Sequence, residues 1–220
     1  MPTAFLIILA SYLIGAIPVA YLAGRLKGVD IRRLGSRNVG ASNVYQTVAR
    51  WAVVPVGLAQ IALAMAGILL AKLLDEDTGV QVAAGVAALV GAAWSIYIGF
   101  AGGRGIGASI GFLLALTPPA LVVFIIVSLL GVALRQVPAG VGLGIALSPL
   151  SALIAGESGA VVAGCLCLAT IVFSKRLLGE GLPRAGDWRE VLLNRLLFDR
   201  DVRDRDAWVR RDLDGHGHRA

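Results

Sequence analysis

Long apolar runs separated by short polar loops dominate the chain. The runs cover residues 4–24, 51–74, 80–100, 106–134, 137–155 and 159–173. A helix needs about 20 residues to cross the roughly 30 Å hydrocarbon core of a bilayer, and most of these runs are close to that length or longer. The pattern therefore predicts an all-α polytopic membrane protein.

The number of spans depends on the run 106–134. Thr117, Pro118 and Pro119 lie in its middle, and paired prolines remove two backbone donors and end a helix. Division at this point predicts about seven transmembrane helices, of which residues 106–116 would form one only about 17 Å long. If that piece is re-entrant, the count is six.

The charged residues predict the orientation. Loop 25–50 has six Lys or Arg residues and one Asp, whereas loop 75–79 is acidic, and basic residues return at Arg104 and at Lys175. Cytoplasmic loops of membrane proteins carry an excess of Lys and Arg. We therefore expect the N-terminus outside and the C-terminus in the cytoplasm.

The composition narrows the class of protein. Hydrophobic residues make up 57% of the 220 residues and charged residues 15%, against about 25% charged in soluble domains. These values exclude disordered, collagen-like and coiled-coil chains and disfavour a soluble domain. The net charge of +6 lies largely in membrane-flanking loops, so we expect no nucleic-acid partner. Two cysteines in one apolar run and two histidines at the C-terminus form no metal-binding pattern, so no metal site is expected.

The sequence divides near Ser174 into two parts. Residues 1–173 form the predicted transmembrane body with its cytoplasmic loops, and residues 174–220 form a charged cytoplasmic tail. Apolar residues between Trp188 and Leu197 have mostly helical spacing, which indicates a possible amphipathic helix on the membrane face. Residues 199–206 alternate in charge, which is typical of a solvated helix face or loop.

The first loop contains a cluster of small and polar residues that could bind an anion. Glycines permit close backbone approach, and neighbouring N–H groups can form an anion-binding nest. Ser and Asn side chains add neutral donors, and Arg adds a charged one. The candidate residues are Gly35, Ser36, Arg37, Asn38, Gly40, Ser42 and Asn43. A simple turn between two membrane helices explains the composition equally well.

Two further segments have basic residues on the same predicted face. Gly102, Gly103 and Gly105 surround Arg104 at the start of an apolar run. A helix N-terminus attracts anions, and a guanidinium there suits a phosphate. The alternative is that Arg104 is an anchor residue at the cytoplasmic face. The third segment contains Lys175 and Arg176, which on their own are typical of topology anchors.

Several motifs together resemble one protein family. The strongest stretch runs from Ser11 to Pro18 and through Tyr21-Leu22, then Gly24, Gly28, Asp30-Ile31-Arg32 and residues 35–44. Gly102–Ile106 is similar to a second motif, with Arg104 in place of the usual Lys, and Arg176-Leu177-Leu178 with Glu180 to the end of a third. Over roughly residues 4–181, the chain resembles the bacterial acyl-phosphate:glycerol-3-phosphate acyltransferases (the PlsY family).

The resemblance implies a reaction and a location. The family transfers a fatty acyl group from acyl-phosphate to the sn-1 hydroxyl of glycerol 3-phosphate, giving lysophosphatidic acid, without a metal or other cofactor. The chain would work among the lipids of the bacterial inner membrane. Ser36 and Arg104 take catalytic roles by this resemblance, with Ser36 orienting or binding a substrate rather than carrying the acyl group. Arg176 and the other candidate residues of the two loops would bind substrate.

Four positions depart from the family pattern. Gln46, Ala92, Thr170 and Phe173 stand where the family has Arg, His, His and Asn. They support an alternative, in which a family member with lost or altered chemistry binds a phospholipid or anionic metabolite, or regulates a partner enzyme. A small transporter is a third possibility, which the scarcity of charged residues within the spans disfavours.

Overall fold

The computed structural model describes residues 2–178 and 188–200, and these residues fold into ten α-helices. In chain order the helices are α1 (Pro2–Gly15), α2 (Val19–Leu26), α3 (Ala41–Thr47), α4 (Val53–Leu73), α5 (Thr78–Ala93), α6 (Ile106–Leu116), α7 (Pro118–Ala133), α8 (Val137–Ile154), α9 (Gly159–Leu178) and α10 (Trp188–Phe198). The all-α class predicted from the apolar pattern is confirmed.

Four stretches of the described chain are long and apolar enough to cross a membrane. They are Pro2–Leu26, Arg50–Leu73, Val137–Ile154 and Gly159–Leu178. The helices α5, α6 and α7 are apolar but shorter. Many large apolar side chains point outward from the bundle, among them Leu58, Ile126 and Leu129. An apolar exterior of this extent is suited to lipid rather than to water.

The break expected at the paired prolines is present. α6 ends at Leu116, Thr117 is buried between the helices, and α7 begins with Pro118. Proline is tolerated in the first turn of a helix because the first N–H groups have no intrahelical acceptor. The run 106–134 therefore forms two helices.

A second break was not predicted. The apolar run 4–24 has the length of one spanning helix, but α1 ends at Gly15 and α2 begins at Val19. Pro18 is the cause, because it has no N–H and its ring disfavours a helical conformation in the residue before it.

Two side chains fasten this break to the end of α5. The hydroxyl of Ser95 donates a hydrogen bond of 2.5 Å to the carbonyl oxygen of Ala16. The phenol of Tyr12 donates one of 3.0 Å to the carbonyl oxygen of Trp94. The first bond satisfies a carbonyl that the interrupted helix leaves without its usual partner.

Helix α6 runs beside α4 in the same direction. Near its start, a Cβ placed on Gly107 would lie 2.8 Å from the Cβ of Gln60. Near its end, the carbonyl oxygen of Ala115 accepts a 2.5 Å hydrogen bond from the ammonium of Lys72. Gln60 is seven residues into α4, so α6 begins about 10 Å deeper in the bundle than α4 does. The loop that precedes α6 is therefore recessed.

The buried residues form separate clusters. The largest is formed by residues of the six helices α4 to α9 and includes Phe112, Leu113, Ile145 and Leu168. A smaller cluster lies under the loop between α2 and α3. Its members are Ala20, Ile31, Val39, Val44, Ala52 and Val56. This loop therefore has an apolar support of its own.

Helix α10 packs against α8 and α9. A guanidinium nitrogen of Arg176 donates 2.8 Å to the Leu196 carbonyl, and one of Arg195 donates 2.6 Å to the Leu177 carbonyl. Helix α9 continues to Leu178, four residues beyond the boundary proposed near Ser174. Glu180 and the tail residues 201–220 lie outside the described residues, and the division into body and tail stays a prediction.

Candidate functional site

The loop between α2 and α3, residues 27–40, is called here the first loop. One ion pair stiffens its beginning, since Arg32 Nη2 lies 2.8 Å from Asp30 Oδ2. The hydrogen bond from the Arg32 side chain lowers the pKa of Asp30 to about 2, against the smaller opposing effect of burial. The guanidinium also lies 4.7 Å from the ring centre of Tyr21. Both charges of the pair therefore serve the shape of the loop.

The Asn43 side chain organises the rest of the first loop. It is fully buried. Its Oδ1 accepts a 3.2 Å hydrogen bond from the Ser36 N–H, and its Nδ2 donates to the carbonyls of Ile31 at 2.8 Å and Leu34 at 3.1 Å. The sequence predicts that this amide binds a ligand. The loop backbone uses it instead, so we assign Asn43 a supporting role.

The other candidate residues of the first loop differ in accessibility. Ser42 and Arg37 are exposed, and Ser36 and Asn38 are half-buried. Arg37 has a φ of 54°, in the left-handed region, which is uncommon for a residue with a side chain. Ser36, Asn38 and Ser42 thus remain accessible to a ligand.

The second loop, residues 99–105, is packed tightly on the end of α5. The Gly103 N–H donates a 3.0 Å hydrogen bond to the carbonyl of Ala92. A Cβ on Gly102 would lie only 2.2 Å from the carbonyl oxygen of Ala93. Gly105, with a φ of 76°, turns the chain into α6. Glycine is needed at these positions because the neighbouring backbone leaves no room or the angle disfavours a side chain.

The two loops meet through their backbones. A Cβ on Gly103 would lie 2.7 Å from the carbonyl oxygen of Val39. Residues 35–43 and 102–105 therefore lie on one face of the bundle. A shared anion pocket requires this arrangement.

Arg104 is the charged side chain of the second loop, and its partner is in the tail. Its Nε donates to Oδ1 of Asp199, and its Nη2 lies 3.5 Å from the Asp199 carbonyl oxygen. The Arg104 side chain is 13% exposed and that of Asp199 25%. Burial raises the pKa of Asp199, and the positive charges of Arg104 and Arg176 act against that rise. The expectation of a solvated stretch from residue 199 onward does not hold for Asp199.

The structure gives Arg176 a different place from the one expected. Arg176 is 3% exposed. It donates to the carbonyl oxygens of Leu196 and Pro138, the latter at 2.9 Å, and lies 5.7 Å from the Phe173 ring centre. Arg176 therefore joins α8, α9 and α10, and we assign it to the structure rather than to substrate binding.

Lys175, which the sequence predicts only as a topology anchor, is a further candidate cation of the site. Its ammonium lies 5.1 Å from the ring centre of Trp94. Trp94 precedes Ser95, whose N–H donates 2.9 Å to the carbonyl of Ala101 at the second loop. The sequence signal for Lys175 as a site residue is its position next to Arg176.

A small cavity beside the loops and a neighbouring open groove share part of their lining. The cavity has about 20 Å³, room for about one water molecule, and Val39, Ala92 and Gly102 contribute to its lining. The groove has about 320 Å³. It is lined by Ile17, Pro18, Tyr21, Leu22, Tyr97 and Ile98. Three of these residues, Ile17, Pro18 and Ile98, also line the cavity.

The four positions that depart from the family pattern are scattered. Ala92 lines the cavity beside the second loop. Gln46 and Thr170 are exposed, and the Thr170 hydroxyl donates to the carbonyl of Leu166 at 2.8 Å. Among residues 2–178 and 188–200, no three His, Cys, Asp or Glu side chains are grouped closely enough to hold a metal ion.

Comparison with known proteins identifies the family. The profile of the family described as glycerol-3-phosphate acyltransferase matches residues 5–177. Glycerol-3-phosphate acyltransferase 4 of Dehalococcoides mccartyi is 35% identical in an alignment that covers 98% of this chain and 97% of that protein. A glycerol-3-phosphate acyltransferase of Synechococcus is 35% identical over 198 residues, covering 84% and 96%.

Solved structures agree with the sequence comparison. The crystal structure of PlsY (YgiH), an integral membrane glycerol 3-phosphate acyltransferase, matches in its glycerol 3-phosphate form with a TM-score of 0.72 and 25% identity, covering 85% of this chain and 98% of that one. Its lysophosphatidic acid form matches with a TM-score of 0.76 over 94% and 98%. The chain is thus an all-helical, multi-pass membrane protein, and it belongs to the glycerol-3-phosphate acyltransferase family.

Proposed function

We propose that the chain transfers a fatty acyl group from an acyl-phosphate to the sn-1 hydroxyl of glycerol 3-phosphate, giving lysophosphatidic acid for phospholipid synthesis. The observation that carries this proposal is the backbone contact between the two glycine-rich loops at Val39 and Gly103, beside Arg104. Membership of the family supports the reaction. The forms in which the related PlsY was crystallised support glycerol 3-phosphate as acceptor and lysophosphatidic acid as product.

Binding of phosphoryl oxygens falls to the second loop and to the accessible residues of the first. The guanidinium of Arg104 supplies charged donors, and the first N–H groups of α6 add the positive end of the helix dipole. Ser36, Asn38 and Ser42 supply neutral donors. Lys175 adds a second cation near the second loop.

The chemistry follows from positioning two anions. An acyl-phosphate is already activated, so no protein nucleophile is needed, and holding the acceptor hydroxyl against the acyl carbon supplies most of the acceleration. The hydroxyl oxygen forms the new ester bond, the acyl–oxygen bond to phosphate breaks, and inorganic phosphate leaves with the hydroxyl proton on one of its oxygens. Backbone N–H groups and Arg104 stabilise the charge that develops on the carbonyl oxygen.

The acyl chain would enter from the lipid along the apolar groove. Its lining of aliphatic side chains and the two tyrosines Tyr21 and Tyr97 suits a hydrocarbon chain. The groove shares Ile17, Pro18 and Ile98 with the lining of the small cavity, whose wall also includes Gly102. Ala92 makes the lining of that cavity more apolar than a histidine would.

We also propose seven spans in the bacterial inner membrane, with the N-terminus outside and the C-terminus in the cytoplasm. Contacts between the ends of helices support this topology. Arg176 bonded to Pro138 joins the end of α9 to the start of α8, and Lys175 over Trp94 joins it to the end of α5. The Lys72–Ala115 bond joins the C-terminal ends of α4 and α6 on the opposite side of the bundle. Basic loops then share one side, as cytoplasmic loops do.

The test is conversion of acyl-phosphate and glycerol 3-phosphate by the purified full-length chain in lipid or detergent. We expect Arg104→Ala to lower kcat/KM by about 100-fold or more, since it removes charged donors at the reacting group. Arg104→Lys should retain more activity than Arg104→Ala, and Ser36→Ala should lower the rate about tenfold. Arg135→Gln is the control, because Arg135 is an exposed cation between α7 and α8, outside both loops of the site.

Unchanged turnover in Arg104→Ala or in Ser36→Ala would contradict the proposed site. Binding of glycerol 3-phosphate without turnover by the folded wild type would instead favour the altered family member. The exposed Thr170, whose hydroxyl is engaged by Leu166, is the observation behind that alternative, because it cannot supply what a histidine would.

A further inference from the structure

The contact between Arg104 and Asp199 joins the candidate site to the tail across 95 positions of sequence. The Asp199 carboxylate accepts from Nε of the guanidinium, and its backbone carbonyl lies 3.5 Å from Nη2. Both side chains are largely withdrawn from solvent, at 13% and 25% exposure. A charged pair shielded in this way is screened less by salt than a surface pair.

The tail is held so that this carboxylate reaches the second loop. Helix α10 is fixed by the Arg176 bond to the Leu196 carbonyl and by the Arg195 bond to the Leu177 carbonyl. Asp199 follows α10 directly, its N–H donates 3.1 Å to the carbonyl of Arg195, and its φ is 58°. Asp and Asn are the side-chain-bearing residues that adopt this left-handed conformation most readily. The turn is therefore compatible with an aspartate and directs it toward Arg104.

We propose that the Asp199 carboxylate occupies the position of a substrate phosphoryl group at Arg104, so that the tail is an autoinhibitory competitor for that group. This proposal rests on the proposed function. A carboxylate and a phosphate use the same guanidinium donors, and two anions at one cation repel each other. A phosphate that binds to Arg104 must displace Asp199. Its apparent affinity then equals the intrinsic affinity multiplied by the fraction of molecules in which the Asp199 contact is open.

Asp199→Asn is the main test variant, because asparagine keeps the size of the side chain and tolerates the left-handed turn. Asp199→Gly is the second variant, since it removes the side chain and accepts the same φ. Glu190→Gln is the matched control, because Glu190 is an exposed carboxylate on α10. The thermal unfolding midpoint of each variant shows whether the fold is kept.

The first measurement is calorimetric titration of the full-length proteins with inorganic phosphate. We expect both Asp199 variants to bind phosphate about tenfold more tightly than the wild type if the contact is closed in nine molecules of ten. Glu190→Gln should bind as the wild type does. The second measurement is steady-state kinetics, in which KM for the substrate bound at Arg104 should fall by a similar factor while kcat is retained.

Equal, weaker or absent phosphate binding in the Asp199 variants that keep the fold would overturn the proposal. A fall in kcat with unchanged KM would also overturn it and would make Asp199 a participant in the reaction. Tighter phosphate binding without any turnover in the wild type would contradict the proposed function and leave the competitor role standing. Normal turnover of the wild type, with unchanged phosphate affinity in the Asp199 variants, would support the proposed function and contradict the competitor role.

Discussion

The two loops of the candidate site reach a fixed shape in different ways. The first is held by side chains, above all the Asn43 amide of the adjoining helix α3 and the loop's own Asp30–Arg32 pair. The second is held by its backbone, with Gly102 and Gly103 against carbonyl oxygens of α5 and of the first loop. The first loop should therefore lose its shape when a side chain is removed, and the second loop when a side chain is added.

The largest effect expected from this difference is that of Gly102→Ala. The new methyl group would lie 2.2 Å from the Ala93 carbonyl oxygen, and backbone atoms cannot yield as a flexible side chain does. We expect a loss of about 3 kcal/mol in the free energy of unfolding, with activity reduced at least tenfold. Thermal unfolding and turnover measure the two effects.

The control for this variant is Gly57→Ala. Gly57 lies within α4, and a Cβ there meets nothing within 4 Å. Alanine is favoured over glycine inside a helix, so stability should stay the same or rise by about 0.5 kcal/mol. Equal losses in both variants would show that the space at Gly102 is not what fixes the second loop.

The next effect concerns the first loop and Asn43→Ala. Two carbonyls and one N–H would lose their buried partner, which we expect to cost about 2 kcal/mol of unfolding free energy and to raise KM for glycerol 3-phosphate. Ser42→Ala, in the same helix but exposed, should leave the unfolding midpoint unchanged. A stable Asn43→Ala variant would show that the first loop does not depend on this side chain.

The smallest effect is that of Asp30→Asn. The pair with Arg32 is partly exposed, at 35% and 16% of the two side chains, so its loss should cost only about 0.5 kcal/mol. Because the folded-state pKa of Asp30 is lowered from 3.8 to about 2, the pair stabilises the fold above about pH 4 and stops doing so as the pH falls through 2.

Unfolding midpoints at pH 7, 4 and 2.5 check this dependence. The difference between wild type and Asp30→Asn should shrink on acidification. Asp75→Asn, a change at an exposed carboxylate of the α4–α5 loop, is the comparison. A difference that grows toward low pH would contradict the assigned role of the pair.

The sequence predicted the helical class and the α6–α7 break because both depend on local patterns, an apolar run and two adjacent prolines. The α1–α2 break depends on the single Pro18, which a membrane helix can also tolerate. Only the hydrogen bonds of Ser95 and Tyr12 show that the helix is interrupted at this proline. Ser95 is distant from Pro18 in the sequence, and Tyr12 lies in the helix before it. Neither forms a sequence motif with Pro18.

The sequence predicts the candidate site as a set of residue types. The structure shows which of these residues support the loops and which are accessible to a ligand. Asn43 and Ser42 are adjacent in sequence, yet one is buried in the loop and the other is exposed. That distinction depends on which way each side chain faces at the start of α3. The partner of Arg104 could not be predicted, because Asp199 lies in a stretch whose alternating charges are typical of solvent exposure.

The close approach at Val39 and Gly103 has a consequence for how the protein can vary. The first loop contributes a carbonyl oxygen, which every amino acid has, whereas the second contributes the absence of a side chain. In a library of functional variants, position 39 should accept several apolar residues, since the Val39 side chain is buried. Position 103 should return only glycine. The first-loop side of the contact can therefore vary in sequence, whereas the second-loop side cannot.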